Sequence, residues 1–390
     1  MVTHPESPCA RCGALVPPGA PLCPACGSLR LRPQAVTIGP GTTLDLGDAR
    51  IVLDARLGEG GMGIVWRGWL FHPPATPRGS EPPLPIALKV LSARARTNPQ
   101  LRALFLQEAE AMRVLSHPNV VRFHRLVQHG DEVAIAMEYI DGNTLEEVIA
   151  RHVARARLAG PGALPGLPFR RAWHYVQQLL GALAAMHALG FVHRDVKPSN
   201  ALLRMDGVLK LSDLGIAQLA SAPLARDPNA LPPGTGAYMS PEQVQSLPLD
   251  GRSDLYSAAI VLFEALSGRT PFDAEERGEI LVRRDQVEAR PPPLRSFVPQ
   301  APPVLDALFE RALAKDPARR FGSAIEMGEA FRAALGVPET SEWRAQAELA
   351  HVAVAPRVSH SPANEAHRTA RIATLRDFLV DRYRTVKLDV

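Results

Sequence analysis

Along this chain the period of the apolar pattern changes once, and that change limits the architecture more than any other feature. From Ile51 to about Tyr139, apolar residues come in short β-type runs: IVLDARL, IVWRGWLF, PIALKVL, VVRFHRLV and EVAIAMEYI. One helical pattern interrupts them, over residues 99–115. After Gly142 long helical patterns take over. Trp173, Val176, Leu180, Leu183 and Met186 recur at steps of three or four between Phe169 and Leu189, and further helices are predicted over 252–267, 303–314 and 323–335. The expectation is an α+β chain, a small strand-rich lobe followed by a larger helical lobe, joined near Glu138 to Gly142.

Composition sets the outer limits. With 390 residues, 46% hydrophobic and 22% charged, the chain can bury a sizeable core and is long enough for two to three units. The 37 prolines call for long loops, and HPPATPRGSEPPLP, between the second and third β-type runs, is an expected exposed one. A formal charge of +4 with no run of five basic residues implies neither nucleic acid nor anionic membrane as a partner. No apolar stretch reaches the length of about 18 residues that a span needs, because His187 and Glu264 break the best candidates. MVTHPESPCARC lacks a basic segment followed by an apolar one, so the expected location is cytoplasmic.

The cysteines are local. Cys9-x-x-Cys12 and Cys23-x-x-Cys26 hold all four, with Gly13 and Gly27 directly after each pair. Such knuckles resemble a small zinc ribbon with four thiolates around one Zn²⁺; redox dithiols or disulfides are the alternative. A segment this short cannot bury enough apolar surface alone, so metal binding would supply most of its folding energy, on the order of 10 kcal/mol.

Three groups of residues carry chemistry. Gly58-Glu-Gly60-Gly-Met-Gly63 lies between two predicted strands, where glycines admit phosphate oxygens close to backbone N–H groups; a flexible hairpin is the plain alternative. A strand and not a helix follows, which argues against a dinucleotide fingerprint. Lys89 sits in an apolar strand and needs an anion or a route to solvent. The helix at 99–115 offers Glu108 on its apolar stripe with Leu101, Phe105, Met112 and Leu115; the other reading turns Glu110 inward instead. Last comes His193-Arg-Asp195-Val-Lys197-Pro-Ser-Asn200, with Asp213-Leu-Gly215 beyond it.

These motifs, in this order, resemble the eukaryotic-type serine/threonine protein kinases. The resemblance spans about residues 50–337 and implies a bilobal protein kinase fold. The whole chain is then expected to divide into a zinc-ribbon-like segment (1–29), a linker (30–49), the kinase domain (50–337) and a helical or partly disordered tail (338–390). In that tail Ile372, Leu375, Phe378, Leu379 and Val386 suit a helix, docked on the domain or binding a partner.

Carried over by position, the resemblance assigns Gly58, Gly60 and Gly63 to the phosphate-covering loop and Leu57, Val65 and Ala87 to the adenine walls. Met137 becomes the gatekeeper, Glu138 and Ile140 the hinge backbone, Lys89 the phosphate-binding lysine paired with Glu108. Asp195 matches the base, Lys197 the lysine against the γ-phosphate, Thr235 the residue that contacts both, and Asn200 and Asp213 the ligands of Mg²⁺, with Mn²⁺ as the alternative ion. Asp254 matches the helix aspartate under the catalytic loop, and Glu242 the partner of Arg320. Leu214 and Ser240 depart from the family pattern without removing a catalytic atom. Arg194 is of the kind that awaits a phosphate, and Ser221 is the candidate autophosphorylation site. The implied activity is transfer of the ATP γ-phosphate to Ser/Thr hydroxyls of protein substrates; a nucleotide-binding pseudokinase or scaffold is the alternative. Only Lys89, Lys197, Lys210, Lys315 and Lys387 among 44 cationic residues are lysine, yet two of them stand where this family requires one.

Overall fold

The apolar runs of the first half pair into one sheet, as their alternation requires. The computed structural model describes residues 7–8, 14–16, 25, 38–60, 63–72, 82–129, 132–160, 162–213, 235–273, 278–339 and 343. Near the start, β1 (Ser7–Pro8) pairs antiparallel with β2 (Leu15–Val16), Ser7 opposite Val16. Cys9, Cys12, Cys23 and Cys26, Ser221 and the helix expected over 368–388 lie outside the described residues.

Next come β3 (Thr43–Asp45), β4 (Arg50–Gly60), β5 (Gly63–Phe71), β6 (Leu84–Leu91), α1 (Ala93–Thr97), α2 (Pro99–Val114), β7 (Phe123–His129) and β8 (Glu132–Glu138). The strands form an antiparallel sheet in the order β3-β4-β5-β6-β8-β7. Period-two alternation gives it two apolar faces. Ile86, Leu88 and Val90 join Leu53, Trp66, Leu70, Ala134 and Ala136 on one face, while Ala87 and Leu91 join Phe105, Ala109 and Met112 of α2 on the other. Lys89, between Ala87 and Leu91, therefore faces α2. Helix α2 starts at Pro99 because the Asn98 side chain accepts from the N–H groups of Gln100 and Leu101.

The stretch expected to be a linker up to residue 49 is, from Ile38 on, part of this lobe. Leu44 and Ala49 are buried on the sheet's outer face with Ile38 and Leu46 against them, and Asp48 accepts two hydrogen bonds from Arg125, each 3.1 Å. A strand of three residues is too short to declare a period in sequence.

The helical lobe follows β9 (Gly142–Thr144): α3 (Leu145–Ala159), α4 (Phe169–Ala188), β10 (Ala201–Arg204), β11 (Leu209–Leu211), a 3₁₀ turn at Thr235–Tyr238, α5 (Pro241–Val244), α6 (Gly251–Ser267), α7 (Glu279–Glu288), α8 (Val304–Ala312) and α9 (Ala324–Ala334). The helices expected over 99–115, 169–189, 252–267, 303–314 and 323–335 are thus present. Four others escaped individual prediction, of which α1 and α5 have only five and four residues. Helix α3 buries only Leu145 and Ile149, and α7 buries Val282 beside two polar residues, Asp285 and Gln286, so neither carries a full apolar stripe. Helix α6 is buried from Ser253 to Phe263 and forms the lobe's axis, with α4 and α8 packed on it. Beyond the expected end at Val337, Trp343 is 1% exposed, edge-on to Trp173 at 5.8 Å and seated over Gly328, where a Cβ would stand 2.3 Å from its ring. The folded unit reaches at least that far. No helix among the described residues is long and apolar enough to cross a membrane.

Candidate active site

At the mouth between the lobes, three charged side chains meet. Lys89 Nζ on β6 lies 2.6 Å from Glu108 Oε1 on α2 and 2.9 Å from Asp213 Oδ1, just past β11. The Lys89 and Glu108 side chains are 13% and 2% exposed, so little solvent screens the pair. Glu110 turns outward to Arg113, which settles which acid of α2 faces in. Burial pushes the Glu108 carboxyl up from its ordinary value against the pull of Lys89. Burial works against the Lys89 ammonium, but the charges of Asp213 and Glu108 outweigh it and hold its value up. The Lys89 charge in turn holds Asp213 down, so Asp213 stays ionised.

The glycines divide into two kinds. A Cβ on Gly63 would stand 2.0 Å from the carbonyl oxygen of Val90, so this glycine is required by the close approach of β5 to β6. Gly58 and Gly60 have nothing within 4 Å of where a Cβ would sit. Their bare backbone borders open space above Lys89, which a phosphate chain can enter. Leu57, beside them, is 47% exposed, while Val65, Ala87 and Met137 are partly or wholly buried in register behind it, Val65 opposite Lys89 and Ala87 opposite Met137. At the hinge the Glu138 N–H donates to Arg122 O at 2.8 Å. Among the described residues the Ile140 N–H has no backbone acceptor and remains open for a ligand.

The loop 193–200 is fixed from below. Asp254 of α6 accepts from the N–H groups of His193 and Arg194 at 2.8 Å each, and His187 of α4 meets the same carboxylate at 2.7 Å. Burial alone would raise the Asp254 value, but these partners hold it below the usual range. They also hold Arg194 at φ 70, a left-handed backbone that costs a non-glycine residue of order 1 kcal/mol or more. The ring of His193 donates from Nε2 to Ser212 O, which can only accept, and its Nδ1 accepts from Asp195 N–H. The Asp195 carboxylate is held through Oδ2, 2.9 Å from Asn200 Nδ2 and 3.0 Å from Lys197 Nζ. Its Oδ1 has no protein partner among the described residues.

Asn200 spends its Nδ2 on Asp195, and Ser212 N–H donates to Asn200 O, which brings Asn200 beside Asp213. Among the described residues Asn200 Oδ1 and Asp213 Oδ2 have no hydrogen-bond partner, a pair of hard oxygens of the kind Mg²⁺ takes alongside phosphate and water. The residues present fit that ion.

The protein kinase domain family matches residues 52–331. The chain belongs to that family. This kinase is 34% identical over 295 residues to the serine/threonine-protein kinase PknL of Mycobacterium bovis, covering 75% of this chain and 68% of PknL. It is 35% identical over 315 residues to PknJ of Mycobacterium tuberculosis, covering 80% of this chain and 49% of that relative. Among solved structures, the kinase domain of M. tuberculosis PknI superposes with a TM-score of 0.56 at 29% identity, over 77% of this chain and 100% of that domain. The protein is an ATP-dependent serine/threonine protein kinase.

Other residues complete the kinase site without a motif to announce them. Gln243 donates from Nε2 to Arg194 O at 2.6 Å and ties the turn Thr235–Tyr238 and helix α5 to the catalytic loop. Lys210 bridges to Glu138 at 2.9 Å, bracing the hinge from β11, and His187 adds the contact to Asp254. The scarcity of lysine was a usable signal for Lys210; nothing local marks Gln243. Glu242 and Arg320 meet as expected, 78 residues apart in sequence, at 2.7 and 2.8 Å.

Proposed function

We propose that this kinase moves the γ-phosphate of ATP to Ser or Thr hydroxyls of proteins through Asp195 and Lys197, with Lys89 and Glu108 holding the phosphates, and that it also phosphorylates its own Ser221. The observation that carries this reading is Lys89 bonded at once to Glu108 and Asp213, the arrangement in which the β6 lysine, the α2 carboxylate and the proposed metal ligand all face one space. Leu57, Val65, Ala87 and Met137 enclose the base, with the Glu138 and Ile140 backbone at its edge. Gly58 and Gly60 cover the phosphates. Asp195 Oδ1 orients the hydroxyl and takes its proton as the oxygen bonds to the γ-phosphorus and the bond to the β-phosphate oxygen breaks. Lys197 balances charge that develops on the transferred group. Asn200 and Asp213 would hold Mg²⁺, whose part is to neutralise phosphate charge. Thr235 is the residue that the family resemblance would set against Asp195 and Lys197.

Purified protein incubated with labelled ATP and Mg²⁺ should label itself and added protein substrates. Asp195→Asn and Lys89→Met should each lose most of the signal; equal labelling by all three proteins would remove the assignment. Phosphopeptide mapping without phosphate on Ser221 would remove that site alone.

We further propose that Cys9, Cys12, Cys23 and Cys26 bind one structural Zn²⁺. The support is their spacing, together with the pairing of β1 and β2 on either side of the first cysteine pair. Metal analysis should find about one zinc per chain, lost in a Cys9→Ser, Cys12→Ser protein.

A further inference from the structure

The three residues that join the lobes, 139–141, are held at both ends by one small sheet of the helical lobe. At their far end β9 begins at Gly142 and pairs with β10, Gly142 opposite Arg204 and Thr144 opposite Leu202. A Cβ on Gly142 would stand 1.8 Å from Leu203 O, so this pairing needs the glycine. At the near end the tie is a side chain. Lys210 lies on β11 opposite Leu202, and its Nζ reaches Glu138 Oε2 at 2.9 Å. The same oxygen accepts from Arg122 N–H at 3.2 Å. The Glu138 backbone belongs to the strand-rich lobe, where its N–H donates to Arg122 O and it stands opposite Ile86 of β6.

The Lys210–Glu138 pair is shielded and has no rival. The two side chains are 10% and 22% exposed, so solvent screens their attraction little. Among the described residues no other acid lies within ion-pair distance of Lys210. His117, from the turn after α2, accepts Asn119 N–H through Nδ1. Burial, helped by the Lys210 charge, pushes this ring down to about 4, so it is neutral near pH 7 and does not compete for Glu138. Strand β11 is itself fixed: Leu211 N–H donates to Asn119 O at 2.8 Å, and Val121 N–H donates to Leu211 O at 3.0 Å. Asp213 follows Lys210 by three residues. Lys210 therefore ties the hinge to the strand that leads into the proposed metal ligand.

We propose that Lys210 is a positioning residue for the adenine ring: by clamping Glu138 to β11 it sets the spacing of the Glu138 carbonyl and the Ile140 N–H before the nucleotide arrives. This rests on the assignment of that hinge backbone to adenine. Lys210 spends its charge on Glu138 and touches no reacting atom, so its effect falls on KM for ATP and not on kcat. The physical cause is ordering. A hinge free to shift at its near end gives up that freedom when it binds, and the loss subtracts from affinity. The loss is confined to the base end, because directional hydrogen bonds to a planar ring need fixed spacing, whereas charge on a triphosphate tolerates small displacements.

The test uses the full-length protein with Mg²⁺ and measures the Kd of adenosine and of inorganic tripolyphosphate by calorimetry, beside kcat and KM for ATP. Lys210→Met should raise the adenosine Kd and the KM for ATP each by about tenfold, with the tripolyphosphate Kd and kcat within about twofold of wild type. Lys210→Arg, which keeps the charge, should recover part of the loss. Glu138→Gln weakens the same contact from the other side and should show the same selective loss. The double variant should bind adenosine within about twofold of Lys210→Met alone, because one contact cannot be lost twice. An unchanged adenosine Kd, an equal loss for both ligands in the two single variants, or a rise in kcat, as a clamp that restrains the lobes would give, overturns the proposal. A wild type that binds adenosine but transfers no phosphate overturns the Asp195 assignment alone, and the two binding constants still decide Lys210. A wild type that binds no adenosine overturns the hinge assignment, and this proposal with it.

Discussion

Two buried ion pairs hold this kinase together, and they are built differently. Glu242 and Arg320 form a closed unit: their side chains are 6% and 0% exposed, both carboxylate oxygens are bonded, and Ser253 Oγ adds a third donor at 2.6 Å. Arg320 spends its remaining N–H groups on the carbonyls of Ala314, Arg252 and Lys315. Lys89 and Glu108 form an open unit. Glu108 Oε2 is buried without a hydrogen-bond partner, and Lys89 divides itself between Glu108 and Asp213. Their ionisation differs accordingly. Burial tends to raise both acids, but the hydrogen bonds from Arg320 and Ser253 bring Glu242 below its ordinary value, whereas Glu108 stays above it. The fully bonded pair serves the fold, and the half-bonded pair keeps its charges available to a ligand. Arg suits the first because its fork can be saturated, and Lys the second because a compact charge can change partners.

Four measurements bear on this contrast. Arg320→Ala should have the largest effect, because it leaves Glu242 buried without its partner and strips the carbonyls of Ala314, Arg252 and Lys315 of their donor; a loss of about 3–5 kcal/mol in urea-denaturation stability is expected, and a shift below about 1 kcal/mol would show that the pair is not what holds the lobe. Lys89→Met should cut kcat/KM for ATP-dependent transfer by about 10²–10³. Its denaturation midpoint should move far less than that of Arg320→Ala, since Glu108, already pushed up by burial, can take a proton once its cation is gone.

A third, half-buried acid sharpens the comparison. Glu264 has a neutral partner, the Tyr238 hydroxyl at 2.6 Å, and burial raises it to about 7 from 4.5. The folded protein therefore keeps a proton that the unfolded chain loses as pH climbs from 4.5 to about 7, and stability falls across that window. Glu264→Gln should be more stable than wild type at pH 8 by up to about 3 kcal/mol, with the advantage shrinking toward zero near pH 4.5; a pH-independent difference would contradict a buried neutral carboxyl. Smallest is Glu110→Ala. Its partner Arg113 is 60% exposed, so thermal melting should register less than about 0.5 kcal/mol.

Much of this was legible before the structure. The two-lobed order and the five helices with apolar stripes follow from period and residue type, and the motif residues of the site from the resemblance to the kinase family. The apolar stripe of α2 favours Glu108 over Glu110, two residues further and on nearly the opposite side of the helix, but only the position of β6 shows that Glu108 finds its cation. Pattern did not separate Gly63, which packs against the Val90 carbonyl, from Gly58 and Gly60, which stand clear. The strand at Thr43–Asp45 and the seat of Trp343 were hidden for another reason: each is a short anchor, three residues and one, with no period to read. Lysine usage turned out to be informative beyond the two motif positions, because Lys210 braces the hinge and Lys315 lies over the Phe272 ring at 4.6 Å and donates to the carbonyls of Asp285 and Gln286.

The amino-acid sequence by itself determined which charges and glycines this chain owns, the change from β-type to helical pattern, and the family those features point to. The tertiary structure realised the pairings that the resemblance implied, Lys89 with Glu108 across 19 residues and Arg320 with Glu242 across 78, and alone decided Lys89 with Asp213 across 124 and Gln243 with the catalytic loop across 49. Local pattern reports how a segment buries its own apolar face. An ion pair depends on where two such segments stop when their faces have been buried together, a distance that no single segment encodes.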